Sequence, residues 1–201
     1  MARDRAARPE ARPLRLFVAV DIPPDVQATL EESLVPFRDR IPGARWTRRS
    51  GWHVTLKFLG STWPRLVEPV KAAGATAAGA SVPFDTALTE IGAFPSARRA
   101  RVLWAGLSDD DGRFAEIVKR LDDLLEEDFM PERRAYTPHL TVARLTPPRV
   151  LDEFAPELQG MAVASRAFPI EQLVLYQSHL SPKGATYEPL ERWTLGGEAP
   201  G

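Results

Sequence analysis

Short apolar segments, separated by longer segments of helical spacing, recur along this chain. Apolar runs of about four to eight residues, or runs in which apolar and polar residues alternate, are typical of β-strands. Segments of this kind cover residues 14–20, 52–59, 84–91, 101–107, 139–145, 172–180 and 187–195. Between some of them lie turn-forming residues, such as those at 92–96 and 181–184. The pattern therefore predicts several strands joined by short connections.

Helices are predicted where apolar residues recur at intervals of three or four. Leu30, Leu34 and Phe37 have this spacing, Pro23 and Pro24 suit a first helical turn, and Pro42 and Gly43 end the segment. Further helices are predicted at residues 64–78, 109–127 and 149–158. Because several strand pairs have short connectors, antiparallel pairing and an α+β fold are favoured over a doubly wound parallel sheet.

The acidic triplet at residues 109–111 lies at the start of a predicted helix. Carboxylates there stabilise the helix dipole and cap free N–H groups. No His or second carboxylate cluster lies near it in sequence, so capping is favoured over metal binding. We expect a domain over residues 14–195, a disordered tail at 1–13 and a C-terminal tail at 196–201.

Composition narrows the possible functions. The 201 residues carry a formal net charge of −1, so bulk electrostatic attraction to nucleic acid is excluded and any phosphate would have to be held locally. The chain has no Cys, which excludes disulfides, thiol nucleophiles and Cys-ligated zinc. No apolar stretch reaches the ~18 residues of a membrane span. A cytoplasmic location is expected, with no membrane association.

Two of the three histidines share a local pattern. His53-Val54-Thr55-Leu56 and His139-Leu140-Thr141-Val142 each read His, apolar, Thr, apolar. Since side chains two apart on a strand share a face, each His should lie beside its Thr, with the apolar residues facing a core.

Two such strands facing each other would place two imidazoles and two hydroxyls around one cavity. One imidazole could accept a proton from water while the other donates a proton to a leaving oxygen. The hydroxyls of Thr55 and Thr141 could donate hydrogen bonds to phosphate oxygens. This set suits a phosphodiester and needs no cofactor or metal; a third metal ligand at suitable spacing is missing from the sequence. The near symmetry of the two motifs leaves open which His is the acid.

At these residues the sequence resembles the 2H phosphoesterase superfamily, and within it the RNA 2′,3′-cyclic phosphodiesterases, also called 2′-5′ RNA ligases. The resemblance extends over about residues 15–195 in the family's order. It is carried by segments 15–20 (RLFVAV), 52–60 (WHVTLKFLG), 92–95 (GAFP), 101–106 (RVLWAG), 137–144 (TPHLTVAR), 175–178 (LYQS) and 180–184 (LSPKG).

The resemblance implies a bilobal α+β fold: two pseudo-symmetric lobes of antiparallel sheet plus helices around a central cleft. It implies hydrolysis of a terminal RNA 2′,3′-cyclic phosphate to a 2′-phosphomonoester, with cleavage of the P–O3′ bond. It also implies a related reaction that joins RNA ends, tRNA halves among them, through a 2′-5′ link. The expected partner is RNA with a cyclic phosphate end, and no obligate protein partner is expected.

The resemblance assigns His53 as proton donor and His139 as proton acceptor, with Arg144 as a further phosphate ligand. Strand alternation counted from His139 puts Arg144 on the opposite face, so it reaches the cleft only if the strand ends or bulges first. Lys57 shares the His53 face by the same count. Lys57 is therefore a candidate contact with RNA. Tyr136 is a candidate for stacking on a base, whereas Trp52 is expected in the core.

Two other functions remain open from the sequence. The chain could be a catalytically weak RNA-end binding module that binds phosphate through the hydroxyls of Thr55 and Thr141 and the guanidinium of Arg144. It could also be a cyclic phosphodiesterase that acts on small nucleotides. Turnover of short RNA compared with mononucleotides would separate these possibilities.

Overall fold

Strands of one large antiparallel sheet carry both His-x-Thr motifs. The structure, a computed structural model, describes residues 12–41, 43–132, 134–151, 165–182 and 184–197. The described strands are β1 Leu14–Asp21, β2 Ala44–Trp46, β3 His53–Thr62, β4 Phe84–Thr86, β5 Leu88–Phe94, β6 Ala100–Leu107, β7 His139–Arg149, β8 Phe168–Ile170, β9 Gln172–Ser181 and β10 Gly184–Thr194. The described α-helices are α1 Pro24–Arg38, α2 Val67–Gly79 and α3 Arg113–Leu124.

The large sheet has the strand order β10-β9-β1-β3-β7-β6-β5. Strand β2 also pairs with β7, on the same edge as β3 and further along that strand. Every pair in it is antiparallel, and β4 and β8 form a small separate sheet. Strands β3 and β7 meet at one residue pair, Val54 with Leu140. The sheet therefore consists of two lobes, one ending in β3 and the other in β7, which confirms the expected bilobal α+β fold.

One hydrophobic core supports both lobes. Helix α1 buries Val26, Leu30, Leu34 and Phe37, and α3 buries Phe114, Ile117, Val118 and Leu121. These spacings put each set on one helical face. The motif residues Val54, Leu56, Leu140 and Val142 belong to the same core. The apolar positions of both motifs thus point inward, as alternation predicts.

Several element boundaries differ from the sequence-based predictions. The predicted strand at 84–91 is two strands in different sheets, β4 and β5, and β5 continues to Phe94 through the predicted turn. Strand β3 passes Gly60, whose φ of +67° lies in the left-handed region, and ends at Thr62. Strand β7 continues to Arg149, where a helix was predicted to begin; its positions 152–158 lie outside the described residues.

The capping role predicted for the acidic triplet is confirmed for Asp109. Its carboxylate accepts hydrogen bonds from the backbone N–H groups of Phe114 (2.9 Å) and Ala115 (3.2 Å). The helix itself begins later than predicted, at Arg113. Of the predicted tails, residues 1–11 and 198–201 lie outside the described residues.

Candidate active site

The two motifs meet on one face of the sheet. Val54 pairs with Leu140 in antiparallel register. In this register the residue before Val54, His53, lies opposite Thr141, and the residue after it, Thr55, lies opposite His139. Opposed residues of a pair share a face, and all four side chains are partly buried while their neighbours are fully buried. The surface that presents these four side chains is called the reactive face below.

Each motif strand bulges directly after its Thr. In β3 the register with β1 skips one residue between Thr55 and Lys57, and in β7 the register with β6 skips one between Thr141 and Ala143. A bulge of this kind reverses which face the following residues occupy. The first seven residues of both strands accordingly show the same order of burial, with an exposed residue at the sixth position.

The bulge in β7 puts the sixth residue, Arg144, on the reactive face. Arg144 is exposed, and its charge is close enough to lower the pKa of His53. The sequence analysis required the strand to end or bulge before Arg144 for this side chain to reach the cleft, and β7 has such a bulge.

The same geometry in β3 overturns the expectation for Lys57. The bulge turns Lys57 to the core side, where it is 5% exposed. Its ammonium group forms an ion pair with Asp122 of α3 and donates a hydrogen bond to the carbonyl of Met130 (3.2 Å). The prediction that Lys57 shares the face of His53 is wrong, and its side chain is not available there to contact RNA. The residue on the reactive face is instead Phe58, which is 54% exposed and lies under the guanidinium of Arg15 at 4.6 Å.

Aromatic rings enclose the imidazole of His53. Phe17 stacks on it at 4.7 Å between ring centroids, and Tyr187 contacts it edge-on at 4.8 Å. The pKa of His53 is lowered to about 4, mainly by burial, and the charge of Arg144 acts in the same direction. A hydrogen bond with the main chain of Gly51 and the charge of Asp21 act in the opposite direction. His53 is therefore neutral at physiological pH in the ligand-free protein.

His139 has a matching environment in the other lobe. Phe94 contacts its ring edge-on at 5.0 Å, and Trp104 lies 6.3 Å away. Its Nδ1 lies 2.7 Å from the carbonyl oxygen of Thr137. Because a carbonyl oxygen only accepts hydrogen bonds, Nδ1 carries the proton and Nε2 is left free for proton transfer. In both motifs the main-chain partner of the imidazole lies two residues before the His.

A cavity of about 500 Å³ opens beside His53. Its wall includes Asp21, which is paired with His53 across β1 and β3. The Asp21 carboxylate accepts hydrogen bonds from the hydroxyl of Tyr176 (2.6 Å) and the guanidinium of Arg192 (2.9 Å). This volume falls within the ~300–1,000 Å³ of small-molecule sites.

The side chains of Tyr136 and Trp52 form hydrogen bonds next to the motif residues. The hydroxyl of Tyr136 donates to the carbonyl of Thr55 (2.8 Å), and burial raises its pKa. The ring of Tyr136 packs against the core. Trp52 is buried, as expected, and its indole N–H donates to the hydroxyl of Thr47 (2.7 Å).

Sequence reasoning missed the rings around the two histidines and the residue Phe58. Phe17, Tyr187, Phe94 and Trp104 reach the site through strand pairing over long sequence separations, for which the local pattern carries no signal. The third histidine, His179, is exposed and pairs with Glu188 (2.9 Å) away from the motifs.

Two features are absent from the described part of the chain. Those residues contain no group of three or more His, Cys, Asp or Glu side chains arranged to hold a metal ion. Nor do they contain a helix long and apolar enough to cross a membrane.

Comparison with known proteins places this chain in a family. The family model described as LigT like Phosphoesterase matches residues 20–104 and 107–187. The chain therefore belongs to the LigT-like phosphoesterase family. The resemblance to 2H phosphoesterases drawn from the two motifs is confirmed, and with it the prediction of a phosphodiester hydrolase.

Individual relatives agree with the family. The chain is 32% identical over 194 residues to an RNA 2′,3′-cyclic phosphodiesterase of Thermus thermophilus, covering 92% of each chain. It is 28% identical to one of Geobacillus stearothermophilus, covering 92% of this chain but only 58% of that relative. Among solved structures it resembles TT0787 of Thermus thermophilus, with a TM-score of 0.76 and 28% identity over 92% of this chain and 100% of the other.

Proposed function

We propose that this protein opens the terminal 2′,3′-cyclic phosphate of RNA to a 2′-phosphomonoester, using its two motif histidines and no metal. One observation carries the proposal: the Val54–Leu140 pair brings two His and two Thr side chains to one face. The names of the curated relatives supply the substrate class.

The proposed reaction is an in-line displacement at phosphorus. The free Nε2 of His139 accepts a proton from water while the water oxygen bonds to phosphorus. The P–O3′ bond breaks on the opposite side, and His53 donates a proton to the departing O3′. The hydroxyls of Thr55 and Thr141 and the guanidinium of Arg144 bind the non-bridging oxygens, where charge accumulates. The assignment of acid and base follows the family resemblance.

The lowered pKa of His53 has a consequence for this mechanism. With a pKa of about 4, the free imidazole is almost entirely neutral at pH 7, so it cannot yet serve as the acid. A bound phosphate brings a negative charge beside His53 and offsets the charge of Arg144. Both effects raise the pKa of His53. Substrate binding and protonation of His53 are therefore coupled in the proposed mechanism.

The joining reaction uses the same chemistry with another nucleophile. If an RNA 5′-hydroxyl replaces water, its oxygen bonds to phosphorus, His139 accepts its proton, and O3′ leaves with a proton from His53. The product is a 2′-5′ phosphodiester. Adding RNA with a 5′-hydroxyl end, such as one tRNA half, to RNA with a cyclic end tests this activity directly.

The decisive experiment is a metal-free assay. Purified protein in EDTA is given an oligoribonucleotide that ends in a 2′,3′-cyclic phosphate, and the product end is identified by ³¹P NMR. A 2′-phosphate supports the proposal, whereas a 3′-phosphate contradicts the assigned leaving oxygen. Binding without turnover favours an RNA-end binding module. Turnover of nucleoside cyclic phosphates but not of RNA favours a small-nucleotide enzyme.

Variants test the two histidines. His53→Ala and His139→Ala should each reduce kcat by at least 10²-fold, the lower end of what a positioned acid or base contributes. His179→Ala is the matched control because it removes an exposed imidazole outside the site. Near-normal turnover by either motif variant, with an unchanged far-ultraviolet circular dichroism spectrum, would rule out the mechanism.

A further inference from the structure

Two arginines lie directly opposite each other at one end of the reactive face. Arg45 of β2 is the cross-strand partner of Arg144 of β7, and both side chains are exposed. Like charges at such a position repel each other and destabilise the pair. Within the described residues, neither guanidinium has an acidic partner in an ion pair or hydrogen bond. Two positive charges thus lie side by side with no acidic partner among the described residues.

Strand β2 places Arg45 in line with the motif histidine of β3. Both strands run along the same edge of β7: Trp46 pairs with Ala143, and the N–H of Thr47 donates to the carbonyl of Val142 (2.9 Å). Residues 48–52 then leave the edge, and β3 resumes contact at Val54. On this register His53 is level with Thr141 and Arg45 with Arg144, about 10 Å further along the strand.

The flanking residues fix which way Arg45 points. Ala44 and Trp46 pack against the core, and their partners Leu145 and Ala143 are buried. Alternation therefore directs Arg45 to the opposite side, the side that carries Arg144. Arg144, the cross-strand partner of Arg45, is close enough to His53 for its charge to lower the pKa of that imidazole.

We propose that Arg45 binds a second phosphate, the one on the 5′ side of the nucleotide that carries the cyclic phosphate. This inference rests on the proposed function, in which Arg144 binds the reacting phosphate. Successive phosphates of RNA are close enough for two neighbouring guanidiniums to bind one each, and the planar fork of Arg matches phosphate oxygens. The preferred substrate class is then an RNA end with a phosphate on the 5′ side of its last nucleoside, and not a bare nucleoside cyclic phosphate.

The test compares two substrates that differ only in that phosphate. One is cytidine 2′,3′-cyclic phosphate, and the other is the same nucleotide with an added 5′-phosphate. Arg45→Gln removes the charge and leaves a shorter, neutral polar side chain. In this variant the ratio of KM for the second substrate to KM for the first should rise about tenfold, as expected for loss of one charge-assisted contact. For an oligoribonucleotide, the dependence of log KM on log salt concentration should flatten by about 0.7, the value for one phosphate contact on a single strand.

Arg65→Gln is the matched control. Arg65 is an exposed arginine beyond the far end of β3, so its loss should leave the KM ratio unchanged. An Arg45→Gln variant with an unchanged ratio would overturn the inference, and so would one whose KM rises equally for both substrates. Failure of the wild-type protein to hydrolyse the oligoribonucleotide would instead contradict the proposed function. The midpoint of urea unfolding of Arg45→Gln should not fall, since the substitution removes a like-charge pair.

Discussion

The buried imidazole of His53 makes the stability of the fold depend on pH in a way that one substitution removes. Burial holds the pKa of His53 at about 4, whereas an exposed imidazole titrates near 6.5. Between these two values the unfolded chain binds a proton that the folded protein does not. The free energy of unfolding is therefore fully retained above pH 6.5 and falls as the pH drops toward 4.

The size of this effect follows from the two pKa values. At pH 4.5 the loss is about 2.5 kcal/mol, and it levels off at about 3.4 kcal/mol below about pH 3. The assay is urea unfolding of the wild-type protein and of His53→Gln at pH 7.5 and pH 4.5. Carboxylates titrate equally in both proteins, so the wild type should lose about 2.5 kcal/mol more than the variant between the two pH values.

Two further measurements test whether burial of His53 causes this pH dependence. His179→Gln, which removes an exposed imidazole, should follow the wild type and not His53→Gln. An NMR titration should find one imidazole with a pKa of about 4, and added inorganic phosphate should raise that pKa. Equal losses of stability in the wild type and His53→Gln, or a His53 pKa near 6.5, would refute the argument from burial.

Three more substitutions separate structural from chemical roles. Lys57→Met leaves the partly buried Asp122 carboxylate without its cation and should lower the free energy of unfolding in urea by about 3 kcal/mol, while kcat below the unfolding transition stays near normal. A kcat as low as that of the histidine variants would contradict the structural role. Tyr136→Phe removes the hydrogen bond to the carbonyl of Thr55 in β3 and should lower the free energy of unfolding by about 1 kcal/mol. An unchanged midpoint of urea unfolding would mean that the bond is absent in solution. In Gly92→Ala the added methyl group would collide with the Trp104 indole, so the free energy of unfolding in urea should fall by about 1–3 kcal/mol. A variant as stable as the wild type would show that the indole can move freely.

Much of the site could be predicted because it depends on alternation within short segments. The pattern His, apolar, Thr, apolar assigns two side chains to the core and two to the opposite face, and the structure has this arrangement in both β3 and β7. The repeat of the pattern also carries the resemblance to the family, which the comparisons confirm.

The rest depends on features that the local pattern does not encode. The residues at the two bulges, such as Leu56 and Val142, are ordinary strand formers, so nothing in the sequence marks where alternation reverses. The count from His53 therefore placed Lys57 on the wrong face. Its partner Asp122 lies 65 residues away on α3, and no local pattern links two residues so far apart in sequence.

The matching bulges have a consequence for regiochemistry. Two His and two Thr related by an approximate two-fold axis would accept a cyclic phosphate in either orientation, and O2′ or O3′ could then leave. On the reactive face, the symmetry ends at the sixth residue of each motif strand. There β7 presents the cation Arg144, whereas β3 presents the aromatic ring of Phe58. On the proposed mechanism, the choice of leaving oxygen is therefore made outside the motifs that perform the chemistry. Exchanging the two residues, as Phe58→Arg with Arg144→Phe, should turn the substrate around and change the product from a 2′-phosphate to a 3′-phosphate.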